Sequence, residues 1–99
     1  MRRGTTPTHT FALPFAASII SSLRITYEQE NKIILTKEKD DCELYDNVVS
    51  VKLSQEETLK FICNTPAKCQ LKIRKNDNVV ASEVFSFFVN ECLDNEVIE

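Results

Sequence analysis

The sequence predicts an all-β domain: an antiparallel, immunoglobulin-like β-sandwich of about seven strands with one short helical turn. Short apolar segments alternate with polar residues at a period of two, which is typical of half-buried strands. Turn residues separate these segments at intervals of roughly ten residues, a spacing found in antiparallel sandwiches. The 99 residues fit a single domain. We divide them into an extended N-terminal arm (1–7), the sandwich domain (8–90) and an acidic C-terminal tail (91–99).

Each strand is predicted from apolar residues of the same parity. The first strand covers residues 8–13 and ends at Pro14, whereas residues 15–22 fit either a short helical turn or a bent strand. Further strands are predicted around Ile25, Leu35, Leu44, Val51 and Leu71. Residues 79–89 are predicted to form one long final strand with apolar side chains on both faces.

The turns must form almost without glycine. Gly4 is the only glycine, whereas an average chain of this length has about seven. Asparagine and aspartate adopt left-handed backbone at less cost than other side chains, so they are the expected turn residues. Candidate turns therefore lie at Asn31, at 46–47 and at 76–78.

A capping box predicts the one helical turn. Ser54 is followed three residues later by Glu57, and each side chain satisfies the free backbone N–H of the other residue. This turn is expected to cross between the two sheets. Leu59 and Phe61 are then predicted to resume an extended strand that continues into Cys63.

The sequence contains four cysteines, Cys42, Cys63, Cys69 and Cys92. Cys69 shares its parity with apolar strand residues, which favours a buried thiol. A zinc site is less favoured because structural zinc uses closely spaced cysteine pairs, and five residues separate the closest pair here. Free thiols are the favoured interpretation, and disulfides or a metal site are the alternatives.

Charge and hydropathy exclude several classes of partner. The net charge is −3 and the pI about 5.2, and no basic stripe is interleaved with aromatic residues, so we expect no binding to nucleic acid. No stretch reaches the roughly 20 apolar residues of a membrane span, so no membrane insertion is expected. The run 11–23 is interrupted by Pro14 and is not followed by an Ala-x-Ala site, so we expect no signal peptide.

No arrangement of residues typical of catalysis is present. His9 is the only histidine, and its neighbours Thr8 and Thr10 point to the opposite face of a strand. The adjacent carboxylates Glu56 and Glu57 diverge on a helix and do not form an acid–base pair. The sequence also lacks a glycine-rich phosphate loop, so we predict neither enzymatic activity nor a cofactor.

The end of the final strand is the candidate interface. Its apolar residues, Phe85, Phe87, Phe88 and Val89, occupy both faces, as expected for a strand that either lies centrally in the core or contacts another chain. The arm 1–7 offers a second route to assembly, by adding a strand to an open sheet edge of a neighbouring chain. The alternative for this segment is a frayed terminus.

Three segments, MRRGTTP (1–7), LSQEETLKF (53–61) and CLDNEVI (92–98), resemble a group of small prophage-encoded proteins of Gram-positive gut bacteria, mainly Clostridia. The resemblance covers nearly the whole chain, and its motifs are structural. It implies an uncharacterised product of the virion structural gene region, placed in the tail, the baseplate or the capsid surface. The chain departs from the group at 76–78, where relatives place glycine in the final hairpin.

The resemblance implies a location in the virion, or in the bacterial cytoplasm during expression from a prophage. The implied partners are other virion proteins or further copies of the chain. Two alternatives remain open. One is a surface-ligand binding module or adhesin, in which Tyr27 and Tyr45 would serve for a sugar ligand because tryptophan is absent. The other is a cytoplasmic host-directed phage protein.

Overall fold

The computed structural model describes residues 1–99, and it contains eight strands in two antiparallel sheets that form a β-sandwich. The strands are β1 (Thr8–Ala12), β2 (Ile20–Gln29), β3 (Lys32–Glu38), β4 (Cys42–Tyr45), β5 (Val48–Lys52), β6 (Thr65–Lys75), β7 (Asn78–Ala81) and β8 (Phe85–Val89). A four-residue helix, α1 (Gln55–Thr58), lies between β5 and β6, and 3₁₀ turns form at Ala17–Ile19 and Lys39–Asp41. The prediction of an all-β sandwich is confirmed.

The order of the strands is immunoglobulin-like. One sheet has the order β1-β5-β4, and the other has the order β3-β2-β6-β7, with β8 also paired to β6. In immunoglobulin-type sandwiches, strands B-E-D of one sheet face strands C′-C-F-G of the other, and strand A pairs with B. Strands β1, β5 and β4 take the places of B, E and D, and no strand lies beside β1 where strand A would pair.

The core lies between the two sheets. Val49 and Val51 of β5 face Ile25 of β2 and Leu71 of β6, and none of these side chains is more than 1% exposed. Each belongs to the predicted inward parity of its strand. Full burial of such a side chain contributes about 1.5–3 kcal/mol, so these alternating positions supply most of the stabilising free energy.

The prediction of one long strand over residues 79–89 is wrong. Two residues of β6, 70–71, lie opposite the three residues 82–84, so the last strand carries one extra residue and divides into β7 and β8. Ser82 holds the interruption in place, because its N–H donates to Leu71 O at 2.9 Å and its Oγ accepts from Leu71 N at 3.0 Å. Such a bulge bends a strand and breaks its alternation.

This interruption explains why apolar residues occur at both odd and even positions between 79 and 89. Val80 of β7 and Phe85 of β8 both pack against the core, although they differ in parity. Val84 and Phe88 point outwards and are 52% and 48% exposed. The two-sided apolar pattern therefore comes from a change of phase and not from a strand that is covered on both faces.

The capping box is confirmed, but the extended segment predicted after it is wrong. Ser54 Oγ accepts from Glu57 N at 3.1 Å, and Glu57 Oε1 accepts from Ser54 N at 2.8 Å. The chain then stays in tight turns, because Phe61 N donates to Thr58 O. Phe61 is 1% exposed and packs edge-on to Tyr27 with ring centroids 5.9 Å apart, so burial of this ring outweighs the local alternation.

The two terminal segments fold back onto the sandwich. Arg3 donates from Nε to Phe61 O at 2.7 Å and from Nη1 to Asn95 Oδ1 at 2.6 Å, so it joins the arm to both the core loop and the tail. Gln55 and Ile98 exchange two hydrogen bonds that hold the tail against α1. Gly4 has a φ of +79°, and a Cβ there would lie 3.2 Å from Leu59 Cδ2, so glycine suits both its conformation and its surroundings.

Non-glycine residues with positive φ form the turns, as predicted. Glu30 and Asn31, at φ values of 49° and 64°, occupy the two central positions of the β2–β3 hairpin. Asp46 and Asn76 take the same conformation in the next two hairpins. Glutamate is the least suited of these residues, because its side chain does not offset the cost of left-handed backbone.

Replacement of Glu30 by glycine is expected to raise the free energy of unfolding by about 1 kcal/mol, because glycine adopts positive φ without steric cost. The matched control is Asp77→Gly, since Asp77 lies in a hairpin turn without positive φ and should gain nothing. Urea denaturation of the three proteins measures the difference, and an equal effect of both substitutions would contradict the assignment of strain to Glu30.

Candidate functional site

A cleft opens between the edge strands β1 and β8, where the two sheets meet on one side of the sandwich. Its volume is about 670 Å³. Residues 8–12 line one wall and residues 85–87 the other, and Met1, Pro7, Cys69 and Glu83 complete the lining. The cleft therefore lies between two strands that are each paired on one side only.

The walls of the cleft meet through aromatic rings. The His9 and Phe87 ring centroids are 5.4 Å apart, and the Phe11 and Phe85 centroids are also 5.4 Å apart. Phe87 further contacts Tyr27 and Phe61, which belong to the buried core. Because these rings pack on a close-packed interior, the floor of the cleft is a fixed apolar surface.

The main chain of β1 has one unpaired side. Leu53 N donates to Pro7 O at 3.0 Å and Leu13 N donates to Asn47 O at 2.7 Å, so odd-numbered residues direct their main-chain groups towards β5. In an antiparallel pair this direction alternates from residue to residue. The N–H and C=O groups of Thr8, Thr10 and Ala12 therefore point to the open side, where no strand follows.

The other edge strands carry features that hinder pairing. Strand β3 contains Lys32, Lys37 and Glu38, and Lys37 Nζ is 2.5 Å from the Glu57 carboxylate. Strands β4 and β7 have only four residues each, and β4 includes a glutamate. Charges and short length are the usual protection of sheet edges.

The terminal arm covers the end of β8. Met1 N donates to Phe88 O at 2.9 Å, and Asn90 exchanges main-chain hydrogen bonds with Met1 and Arg3 in a short parallel bridge. Strand β1, with the sequence THTFA, has neither a charged side chain nor a covering segment. It is the least protected edge of the sandwich.

His9 and Tyr27 form the polar centre beneath the cleft. His9 Nδ1 lies 2.6 Å from the Tyr27 hydroxyl oxygen. Burial, and secondarily the nearby N-terminal ammonium, lowers the pKa of His9 below 6.5, and burial raises the pKa of Tyr27. A neutral imidazole whose Nδ1 accepts a hydrogen bond from the tyrosine O–H satisfies both groups, so β1 carries no charge at neutral pH.

Cys69 and Glu83 also line the cleft with His9, but their chemistry does not match that of a nucleophilic site. Burial raises the pKa of the Cys69 thiol to about 11, and His9 binds Tyr27. A catalytic cysteine requires the opposite change, a lowered pKa beside a histidine that takes its proton. This arrangement keeps the thiol protonated and unreactive.

The structure separates the four predicted interface residues. Val89 is fully buried, and Phe85 and Phe87 are half-buried, with their rings on the cleft floor. Phe88 alone points outwards on the opposite face of the sheet. The four residues therefore do not share one exposed face, because β8 alternates and its inner parity belongs to the core. Contact of this strand with another chain stays a prediction.

Sequence reasoning did not find the β1 edge. The available signal was a strand without charges between two prolines, Pro7 and Pro14. That pattern predicts a strand but does not reveal whether a neighbour pairs with it. Another surface depression, of about 280 Å³, is lined by charged side chains of both signs: Arg24, Lys72, Arg74 and Glu38.

All four cysteines are free thiols, and none pairs with another. Cys69 is buried, and Cys42 Sγ donates to Glu38 O at 3.3 Å. Cys63 and Cys92 are partly exposed and make no such contact. The favoured interpretation of free thiols agrees with this arrangement. No three His, Cys, Asp or Glu side chains converge as metal ligands do.

None of the helices has the length and apolar character that a membrane-crossing helix requires. Comparison with protein-family models, with curated proteins and with solved structures finds no match for this chain.

Lowering the pH below about 6.5 is expected to reduce the free energy of unfolding through His9. Its pKa is lower in the folded protein than in the unfolded chain, so the unfolded chain binds the proton first and folding loses stability as pH falls. The loss should be smaller in His9→Gln. Urea denaturation between roughly pH 7 and pH 5 tests this, and parallel pH profiles of the two proteins would contradict it.

Alkylation of the native protein should modify Cys63 and Cys92 first and Cys69 last, because Cys69 is only 4% exposed and its pKa is about 11. Intact-mass spectrometry after unfolding without reductant should show four adducts, one for each free thiol. Fewer adducts would mean that some cysteines are oxidised, and tryptic mapping would identify them.

Proposed function

We propose that this protein acts without catalysis, as a structural or accessory component of a phage particle that binds other protein chains. The observation that supports assembly is the uncharged, unpaired edge of β1 beside an aromatic cleft. The phage setting rests on the resemblance of residues 1–7, 53–61 and 92–98 to prophage-encoded proteins.

An open sheet edge offers a physical mechanism for assembly. A strand from another chain satisfies the free main-chain donors and acceptors of Thr8, Thr10 and Ala12, and alternate side chains contact the adjoining surface. Natural proteins usually protect such edges because they promote association. An edge that lacks this protection, in a chain whose other edges are charged, short or covered, favours a role in binding protein.

The arrangement of the cleft residues supports a non-enzymatic role. The Cys69 thiol stays protonated, and His9 is held by Tyr27. Within the alternative of a surface-ligand binding module, a sugar ligand would need exposed aromatic rings such as Tyr27 and Tyr45. Tyr27 is fully buried and only Tyr45 is exposed, so just one of the two tyrosine rings is available to such a ligand.

The protein is expected in purified phage particles at a constant ratio to the major particle proteins. Particles from an induced lysogen of the source bacterium, purified by density gradient and analysed by quantitative mass spectrometry, give that ratio. A matched lysate from a strain in which the capsid gene is deleted is the control for co-sedimenting cell protein. Detection only in the lysate would overturn the virion role.

A further inference from the structure

Resting on the proposed assembly role, we propose that β1 pairs in antiparallel orientation with β1 of a second copy of this chain, across a twofold axis through Thr10. In an immunoglobulin-type sandwich strand A would pair with the strand that β1 corresponds to, and here that position is empty. In the dimer, β1 of the second copy takes this position. The two three-stranded sheets become one continuous sheet, with the order β4-β5-β1 followed by the β1-β5-β4 of the second copy.

The register follows from the free main-chain groups. Only Thr8, Thr10 and Ala12 direct their N–H and C=O groups to the open side, so the register that uses all three places Thr10 opposite Thr10 of the second copy. In that register Thr8 lies opposite Ala12 of the second copy, and every free group of the edge gains a partner. Any shifted register leaves some of these groups unpaired.

A second copy fits this edge because the edge is self-complementary. Strand β1 carries no formal charge while His9 is neutral, so no like charges of the two β1 strands meet when they pair. The side chains that meet on the outer face belong to Thr8, Thr10 and Ala12, which are all small. The two paired strands also have the same length, since Pro7 and Pro14 bound β1 in each copy.

The aromatic cleft adds apolar area to the same contact. It adjoins β1 along residues 8–12, so a twofold axis through Thr10 brings the clefts of the two copies together. The exposed flanks of Phe85 and Phe87 are then covered from both sides. Pairing through the main chain alone would be a small interface, and burial of the clefts provides the hydrophobic contribution that specific association requires.

Cysteine cross-linking tests the register directly. Thr10→Cys should form a disulfide-linked dimer under mild oxidation, because residues in a hydrogen-bonded antiparallel pair have Cα atoms about 5.5 Å apart. Thr8→Cys is the matched control, since the two Thr8 positions lie about 14 Å apart in this register. A mixture of Thr8→Cys and Ala12→Cys should cross-link as a heterodimer.

The native cysteines do not obscure the result. Trypsin cleaves after Arg3 and Arg24, and the peptide 4–24 contains no natural cysteine. A disulfide-linked dimer of this peptide therefore reports only on the introduced residue. Equal cross-linking of Thr10→Cys and Thr8→Cys, or none in either variant, would overturn the proposed pairing.

Sedimentation velocity provides a second measurement without oxidation. Wild-type protein and Thr10→Ala should shift towards twice the mass of the 11.3 kDa chain as concentration rises. Thr10→Pro should stay monomeric, because it removes only an outward N–H and blocks pairing at an edge where proline is tolerated. Equal urea midpoints for the two variants would show that both are folded, and a monomeric wild type at all concentrations would contradict the proposal.

Hydrogen exchange shows whether the β1 edge is occupied by a second copy of this chain or by a different protein. In concentrated protein the amides of Thr8, Thr10 and Ala12 should exchange more slowly than in dilute protein, whereas those of His9 and Phe11 should be protected in both. Protection that appears only when particle proteins are added would assign the edge to another chain and overturn self-pairing. Virion incorporation without self-pairing would leave the proposed function intact, so the two proposals fail separately.

Discussion

Strand β6 is hydrogen-bonded on both sides, to β2 along one edge and to β7 and β8 along the other. Its inward side chains, from Ala67 to Ile73, form the centre of the core. Strand β6 is continuous, whereas the segment from β7 to β8 that pairs with it carries one extra residue, so the mismatch is absorbed at 82–84. The position of the phenylalanines on the cleft floor depends on this single change of phase.

The same interruption shapes the open side of the sandwich. After the extra residue, inward and outward side chains alternate again, and Phe85 and Phe87 point inwards. There they contact Phe11 and His9 of β1. The aromatic contacts hold the two edges close without main-chain hydrogen bonds between them. The sheets therefore meet through side chains at this point, and the backbone of β1 stays available for another strand.

Local patterns in the sequence predicted most of the elements. The alternation of apolar and polar residues predicted the strands around Ile25, Leu44 and Leu71, and the Ser54–Glu57 capping box predicted the one α-helix. Both signals depend only on residues that are neighbours in the chain. Alternation failed at Phe61, where a ring needed by the core holds the chain in a turn. It failed again at Ser82, because the extra residue there is recognisable only when the strand is paired with β6.

The sequence alone determined the all-β class, the core parity of the strands and the dependence of the turns on residues such as Asn31 and Asn76. These features follow from side-chain polarity and local backbone preference. Only the tertiary structure decided that β1 is an unpaired edge, that Phe85 and Phe87 floor a cleft and that Val89 is buried. Whether a strand has a neighbour depends on how distant segments pair, and residues within a strand do not record which of its sides remains open.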